Sequence, residues 1–310
     1  MKIFKRIVWR VLAGVLVLWG AATLSFVALN VTAGDTALAI LGGPDALPTP
    51  QVLEQVRAEY GLDQPLIVQY GRYIGRVAEG DLGSSYRLRI PVVRAISQQV
   101  GATLQLAACA AVLAVISALI LALTTAHRAR WIRSFSSGSE LMLTSVPTFV
   151  LGIVLLLIFS FQFHLLPPAG SQGWKTMVLP TLTLALPVMA VLTQVLRQVL
   201  EDVLEQPFIS MARARGMSDV GVRLRHALPH ALIPLVTLSG FIFASLLGGA
   251  VITETLFARQ GLGRLMIEAS TNKDIPLVLG ITLLVALIYV VVNLVVDLLN
   301  SFLDPRVVES

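Results

Sequence analysis

Six stretches of the chain, 11–34, 95–127, 141–174, 176–196, 226–253 and 275–296, contain no Asp, Glu, Lys or Arg. A bilayer crossing takes about 20 apolar residues, so each stretch is long enough to span. The runs are continuously apolar, whereas a transmembrane β-barrel alternates in segments of about ten residues. Lipid offers backbone groups no hydrogen-bond partners, so the spans are predicted as helices. The runs 95–127 and 141–174 exceed the need, and their ends must extend past the hydrocarbon. Lys2, Lys5, Arg6 and Arg10 precede the first span like the basic head of a signal peptide. Its apolar run is longer than the 7–15 residues typical of a signal, so it reads as a retained anchor.

Charge between the spans sets the orientation. With the N-terminus inside, the cytoplasmic pieces 1–10, 127–136, 197–226 and 298–310 hold 13 Lys and Arg, against 4 in the two short outer loops. The long loop 35–94 holds six arginines but is about as long as loops that translocate regardless of charge. Both termini are therefore expected in the cytoplasm. The expected organisation is a cytoplasmic N-terminus 1–10, a first span 11–34, an extracytoplasmic segment 35–94, a five-helix core 95–303 with a cytoplasmic loop 199–230, and a tail 304–310.

Composition agrees. Of 310 residues, 56% are hydrophobic and 13% charged, about half the charge of a soluble domain. Mean hydropathy is +0.81. Disorder, a basic nucleic-acid binder and an ordinary cytosolic enzyme are excluded. The net charge of +5 is the topology signal of a membrane protein and calls for no nucleic acid. Cys109 is the one cysteine, which excludes an internal disulfide framework. Within its span it is expected to be a small buried hydrophobe.

Between the spans, Thr49-Pro50 offers a helix start, Val52, Val56 and Tyr60 recur at helical spacing, and Gly61 offers a stop. Leu66, Tyr70, Tyr73, Ile74 and Val77 form a second short amphipathic pattern, and residues 80–85 form a turn cluster. This segment is expected to pack over the outer helix ends or to meet a partner. The loop 199–230 reads as two short helices. Pro207 begins the first and Gly216 ends it; Ser218 or Asp219 caps the second and Pro229 closes it. Val220, Leu224, Ala227 and Leu228 are expected on one face and Arg223 on another. Such a hairpin suits either anionic lipid or a soluble docking partner.

This loop resembles the coupling loop of binding-protein-dependent ABC importer permeases. Ala212-Arg213-Ala214-Arg215-Gly216, His226-Ala227-Leu228 and Ile233-Pro234 are similar to its peptide/nickel branch. Gly34-Asp35, the run 60–66, Gly80-Asp81-Leu82-Gly83 with Ser85-Tyr86, Pro147 with Phe149, Leu166-Pro167, Gly248-Gly249 with Glu254-Thr255, the run 261–264 and Leu303-Asp304-Pro305-Arg306 extend the resemblance along the chain in order. There are departures: Ser210 replaces the motif's glutamate, Pro229-His230 stands where the branch often has Arg-Asn, and Gln260 replaces a proline.

The resemblance implies an all-α permease of the type I ABC importer fold, with six transmembrane helices, in a bacterial cytoplasmic (inner) membrane. It implies a second permease subunit, two ATPase subunits and an extracytoplasmic solute-binding protein as partners. It assigns ATPase coupling to Ser210, Met211, Ala212, Arg213, Ala214, Arg215, Gly216, Asp219, His226 and Pro229. No Gly-x-x-x-x-Gly-Lys-Ser/Thr loop is present. The chain is thus expected to be non-catalytic and to hold no cofactor, with ATP and Mg on the partner ATPases. The solutes implied are di- or oligopeptides, nickel, metal chelates or glutathione-like compounds. The stretch 34–40 leans toward the metal-chelate members.

Within the spans, Ser145, Pro147, Thr148, Gly248, Gly249 and Glu254 are candidates for the pathway or a gate. Pro147 is expected to kink the third span and free carbonyls toward a pore, and Gly240, Gly248 and Gly249 to allow close packing. Glu140, Glu254 and Asp297 border spans as solvated or paired ends, while Gln194 and Asn293 are expected in helix–helix hydrogen bonds. The four histidines show no ligand spacing, so no metal site is expected. The alternatives are an ion-coupled secondary transporter, which should show intramembrane carboxylates or broken helices in corresponding halves, and an intramembrane hydrolase, which needs a Ser–His pair.

Overall fold

The computed structural model of the chain describes residues 2–32, 36–41 and 48–303. Among these, regular structure is helical, apart from one isolated antiparallel bridge between Ser84 and Pro91. The helices are α1 (Lys2–Thr32), α2 (Thr36–Ile40), α3 (Pro50–Tyr60), α4 (Leu66–Ala78), α5 (Val92–Thr125), α6 (Arg130–Ser145) and α7 (Thr148–Leu155), which runs on as π-helix (Leu156–Gln162). There follow α8 (Lys175–Leu204), α9 (Pro207–Ala214), α10 (Asp219–Val222), a π turn (Arg223–Ala227), α11 (Leu228–Leu256), α12 (Leu262–Thr271) and α13 (Ile275–Leu303). Among the described residues, five helices are long and apolar enough to cross a membrane, or six if α6 and the α7 stretch count as one bent span. Gly34-Asp35 and the tail 304–310 lie outside the described residues.

The run 141–174 is not one helix. α6 and the α7 stretch meet at 105°. Pro147 has no N–H, and its ring disfavours the helical region for the residue before it. Val146 is accordingly extended, at φ −82° and ψ 126°. Ser145 therefore ends one helix and Thr148 begins the next. Residues 163–174 form no α-helix, and His164, Gly170 and Gly173 there take positive φ.

The chain divides into two compact units. The first comprises 1–103 and 260–291. In it, α3 starts with Pro50 in its first turn and stops at Gly61, whose φ is 64°. The apolar face of α4 packs Tyr70, Tyr73, Ile74 and Val77 against Ala22 and Phe26 of α1 and Leu279 and Leu283 of α13. Phe26 stacks on Tyr73 and meets Tyr70 edge-on, and Thr23 shares a 2.7 Å hydrogen bond with the Tyr70 hydroxyl. Burial, with Tyr70 alongside, pushes the Tyr73 hydroxyl up to about 12.

The turn cluster 80–86 is fixed by Asp274, which is 1% exposed. Its carboxylate accepts the Ser85 hydroxyl at 2.5 Å and the Tyr86 and Arg87 N–H groups at 3.2 Å. It also accepts the Leu277 N–H at 3.4 Å, capping the start of α13 where a negative charge suits the helix dipole. Asp81 supports the same turn by accepting the Gly83 N–H at 2.8 Å. Burial, with Asp274 next to it, pushes the Tyr86 hydroxyl up to about 12.

The second unit comprises 104–259 and 292–310. Its core is an alanine face on α5. Ala107, Ala110, Ala114, Ala118 and Ala122 recur at three- and four-residue spacing, all fully buried against leucines of α8 and residues of α11. Cys109 lies off that face and is exposed, so it is not the buried residue expected. α6 joins α8 through a buried ion pair. Arg197 donates Nη1 to Glu140 Oε1 at 2.7 Å and Nη2 to Oε2 at 2.6 Å. Ser136 and Ser137 accept from the same guanidinium at 3.0 Å each. Glu140 is thus paired, one of the two states expected of it, but inside α6 rather than at its end. Arg133 and Glu201 add a looser pair at 3.6 Å.

Candidate functional site

The residues between α8 and the apolar part of α11 form a helical hairpin. Pro207 opens α9, as its fixed φ suits the first turn. Gly216, at φ 84°, turns the chain out of it. The Gly216 N–H donates to the Arg213 carbonyl at 2.9 Å and the Met217 N–H to that of Ala212 at 3.2 Å. Ser218 is the cap of α10, accepting the Gly221 N–H at 3.2 Å. Pro229 does not close this second helix, which runs through it from Asp219 to Leu256. A proline removes a ladder bond and crowds the carbonyl four residues back. The π turn Arg223–Ala227 directly before Pro229 widens the ladder there and lets the helix continue.

The orientation of this helix also differs from expectation. Its buried residues are Val222, Arg223 and Ala227, whereas Val220 and Leu224 are exposed. The reason is electrostatic. Arg223 is 6% exposed and donates Nη1 to the Leu123 carbonyl near the end of α5 at 2.8 Å. That carbonyl belongs to the last turn of α5, where a cation is favoured. Arg223 Nε donates to Asp219 at 2.9 Å, with Arg213 at 3.2 Å and Arg128 at 3.7 Å from the same carboxylate. The Arg223 hydrogen bond, with Arg128 and Arg213 beside it, holds the Asp219 carboxyl below its usual range. Asp219 lies on the loop, ahead of the apolar run that starts at His226. His127 and Glu205 approach at 3.3 Å.

The outward side of the hairpin is a shallow groove of about 540 Å³ lined by Phe208, Met211, Ala212, Arg215, Gly216, Met217, Arg225 and His226. Ser210, Arg213, Ala214 and Pro229 are exposed around the same hairpin. The ten loop residues singled out from the sequence thus share one element, its outer surface apolar and basic. The pathway candidates are less gathered. Ser145 and Pro147 are exposed at the α6–α7 elbow, and Thr148 is half-buried. Gly248 is exposed with open space beside it, but a β-carbon on Gly249 would lie 2.7 Å from Leu184 of α8. Glu254 is fully buried. Sequence reasoning missed the Glu140–Arg197 pair and the pinning of the hairpin by Arg223; the two pairs join residues 57 and 100 positions apart. Among the described residues, no group of three or more His, Cys, Asp or Glu could hold a metal ion.

Among the described residues, helices with five or six apolar spans and a helical hairpin between two of them define an integral membrane protein. The family described as binding-protein-dependent transport system inner membrane component matches residues 112–309. The N-terminal family of the same system matches residues 3–107. The chain belongs to this family of ABC permeases and is a multi-pass inner-membrane protein. It is 36% identical over 302 residues to the glutathione transport system permease protein GsiC of Escherichia coli (strain K12), covering 97% of this chain and 98% of that protein. GsiC of Salmonella paratyphi A (strain ATCC 9150 / SARB42) is 37% identical over 287 residues, with 92% and 93% covered. A protein of Brucella abortus (strain 2308), provisionally named a peptide transport system permease, is 34% identical over 307 residues, with 96% and 97% covered.

Proposed function

We propose that this chain is one of two permease subunits of an importer for peptides or peptide-like solutes, and that the hairpin 207–229 receives the motion of an ATPase subunit. The observation that carries the coupling role is the hairpin itself. Its outward side is an exposed apolar and basic groove, while its inward side is tied to α5 by Arg223. A push on the groove is therefore delivered to a spanning helix rather than absorbed by a loose loop. The partners are a second permease, two ATPase subunits that bind ATP and Mg, and a solute-binding protein on the outer side. The peptide reading is supported by relatives named for peptide and glutathione transport. The lean toward metal chelates finds no support among them.

The test uses the assembled importer in proteoliposomes with its binding protein. Peptide or glutathione should stimulate ATP hydrolysis and accumulate, and a nickel chelate should do neither. Gly216→Asp puts a side chain where φ is 84° and a carboxylate amid Arg213 and Arg215. It should abolish most of the stimulated turnover while the chain still inserts. Undiminished turnover in that variant would remove the coupling role, and stimulation by the chelate alone would remove the peptide reading.

A further inference from the structure

We infer that Arg259, just beyond α11, grips a carboxylate of the transported solute. This rests on the peptide reading above, since peptides and glutathione carry free carboxylates. The guanidinium is 2% exposed, yet its Nε and Nη1 have no hydrogen-bond partner. Nη2 reaches only the Gln105 side-chain oxygen, at 3.4 Å, the long end of such contacts. An arginine presents five N–H groups in a planar fork. Both of its edges, Nε with Nη2 and Nη1 with Nη2, therefore keep an unanswered member.

The other buried arginines differ. Arg197 spends Nη1 and Nη2 on Glu140, Ser136 and Ser137. Arg223 spends Nε on Asp219 and Nη1 on Leu123. Those two hold helices together. Arg259 is equally buried, yet its guanidinium makes only the long Gln105 contact. A buried charge with no counter-charge and two unanswered N–H groups is strongly unfavourable, so such a group belongs where an anion arrives. Fully buried Glu254, five residues earlier, leaves Nε and Nη1 unanswered.

The backbone sets this side chain firmly. The Arg259 N–H donates to the Glu254 carbonyl at 2.8 Å, and the Phe257 carbonyl accepts the Gly170 N–H at 3.2 Å. Between them Ala258 takes φ 47°, a left-handed conformation uncommon for a residue with a side chain. A carboxylate is planar with two acceptor oxygens and fits an edge of the fork. The charge asymmetry places this turn on the outer side, where solute enters. At 2% exposure the guanidinium is shielded, so contact belongs to the opened form of the transport cycle.

The test compares uptake of a tripeptide and its C-terminal amide by the full importer, with wild-type chain, Arg259→Gln and Arg259→Lys. The same binding protein serves all three, so its own preference cancels. Arg259→Gln should lower the acid-to-amide uptake ratio roughly tenfold or more, and Arg259→Lys should restore part of it. An unchanged ratio, or equal losses for both peptides, overturns the inference and leaves a packing or subunit-contact role. A second measurement does not depend on the solute. In a Cys109→Ala background, the thiol introduced by Arg259→Cys should react with an anionic thiosulfonate after trapping with ATP and vanadate, and be protected at rest. Absence of labelling in both states overturns the inference even if peptides are transported. Wild-type protein that takes up neither peptide but does label overturns the peptide reading alone.

Discussion

Replacing Glu140 by methionine would leave the Arg197 guanidinium buried with only Ser136 and Ser137 to accept from it. The ion pair is bidentate at 2.6 and 2.7 Å, and the two side chains are 2% and 8% exposed. Removing one member of such a pair costs about 3–5 kcal/mol, most of it the penalty of the charge left behind. Removing both does not double that cost, because an apolar pair of similar volume is often neutral. Glu140→Met and Arg197→Met should therefore each destabilise by about 3 kcal/mol or more, and the double variant by about 1 kcal/mol. The assay is reversible unfolding of the detergent-solubilised chain by added SDS, followed by helical circular dichroism, as a double-mutant cycle. Additive effects, or single costs under about 1 kcal/mol, would refute the reasoning and make the pair energetically idle.

Arg223→Met should free the hairpin from α5, leaving the Leu123 carbonyl and Asp219 short of a donor, at about 1.5–3 kcal/mol. Hydrogen exchange at 207–222 should accelerate, and unchanged protection would argue against the pinning. Gly249→Val should cost about 1–3 kcal/mol by overpacking against Leu184, while Gly248→Val, with open space beside it, should be tolerated. Thermal denaturation of the two variants separates these outcomes. Burial pushes the Tyr73 and Tyr86 hydroxyls up from the ordinary 10 to about 12. Their stabilising contribution is full below pH 10 and is lost as pH rises through 12. Ultraviolet titrations of Tyr73→Phe and Tyr86→Phe should each lack one late-ionising tyrosine of the wild-type curve; a late phase unchanged in both would refute the burial argument.

The spans were legible because a charge-free run of twenty residues has few readings. The hairpin was legible from Pro207, Gly216 and Ser218, whose backbone preferences act locally. The elbow at Pro147 was harder. An apolar run reads the same whether straight or bent, so the proline could be noted but not the 105° turn. The π turn before Pro229 was invisible, since a one-residue surplus in the ladder leaves no mark in the residue pattern. It is what turned a proposed helix end into a continuous helix. The face of the second hairpin helix was misjudged because hydrophobicity ranked Val220 and Leu224 above Arg223. The Leu123 carbonyl, supplied from 100 residues away, makes burial of the arginine favourable. Cys109 was recoverable: the spacing of Ala107, Ala110, Ala114 and Ala118 marks the inner face of α5, and position 109 falls off it.

That alanine face sets how this gene can vary. Each of the methyl groups at 107, 110, 114, 118 and 122 is fully enclosed within the core of the second unit. A larger residue at any one of them overpacks the core, at about 1–3 kcal/mol. Drift along α5 is consequently confined to its other sides, the one bearing Cys109 among them. Across descendants of this sequence, the blandest positions of the span should be the slowest to change.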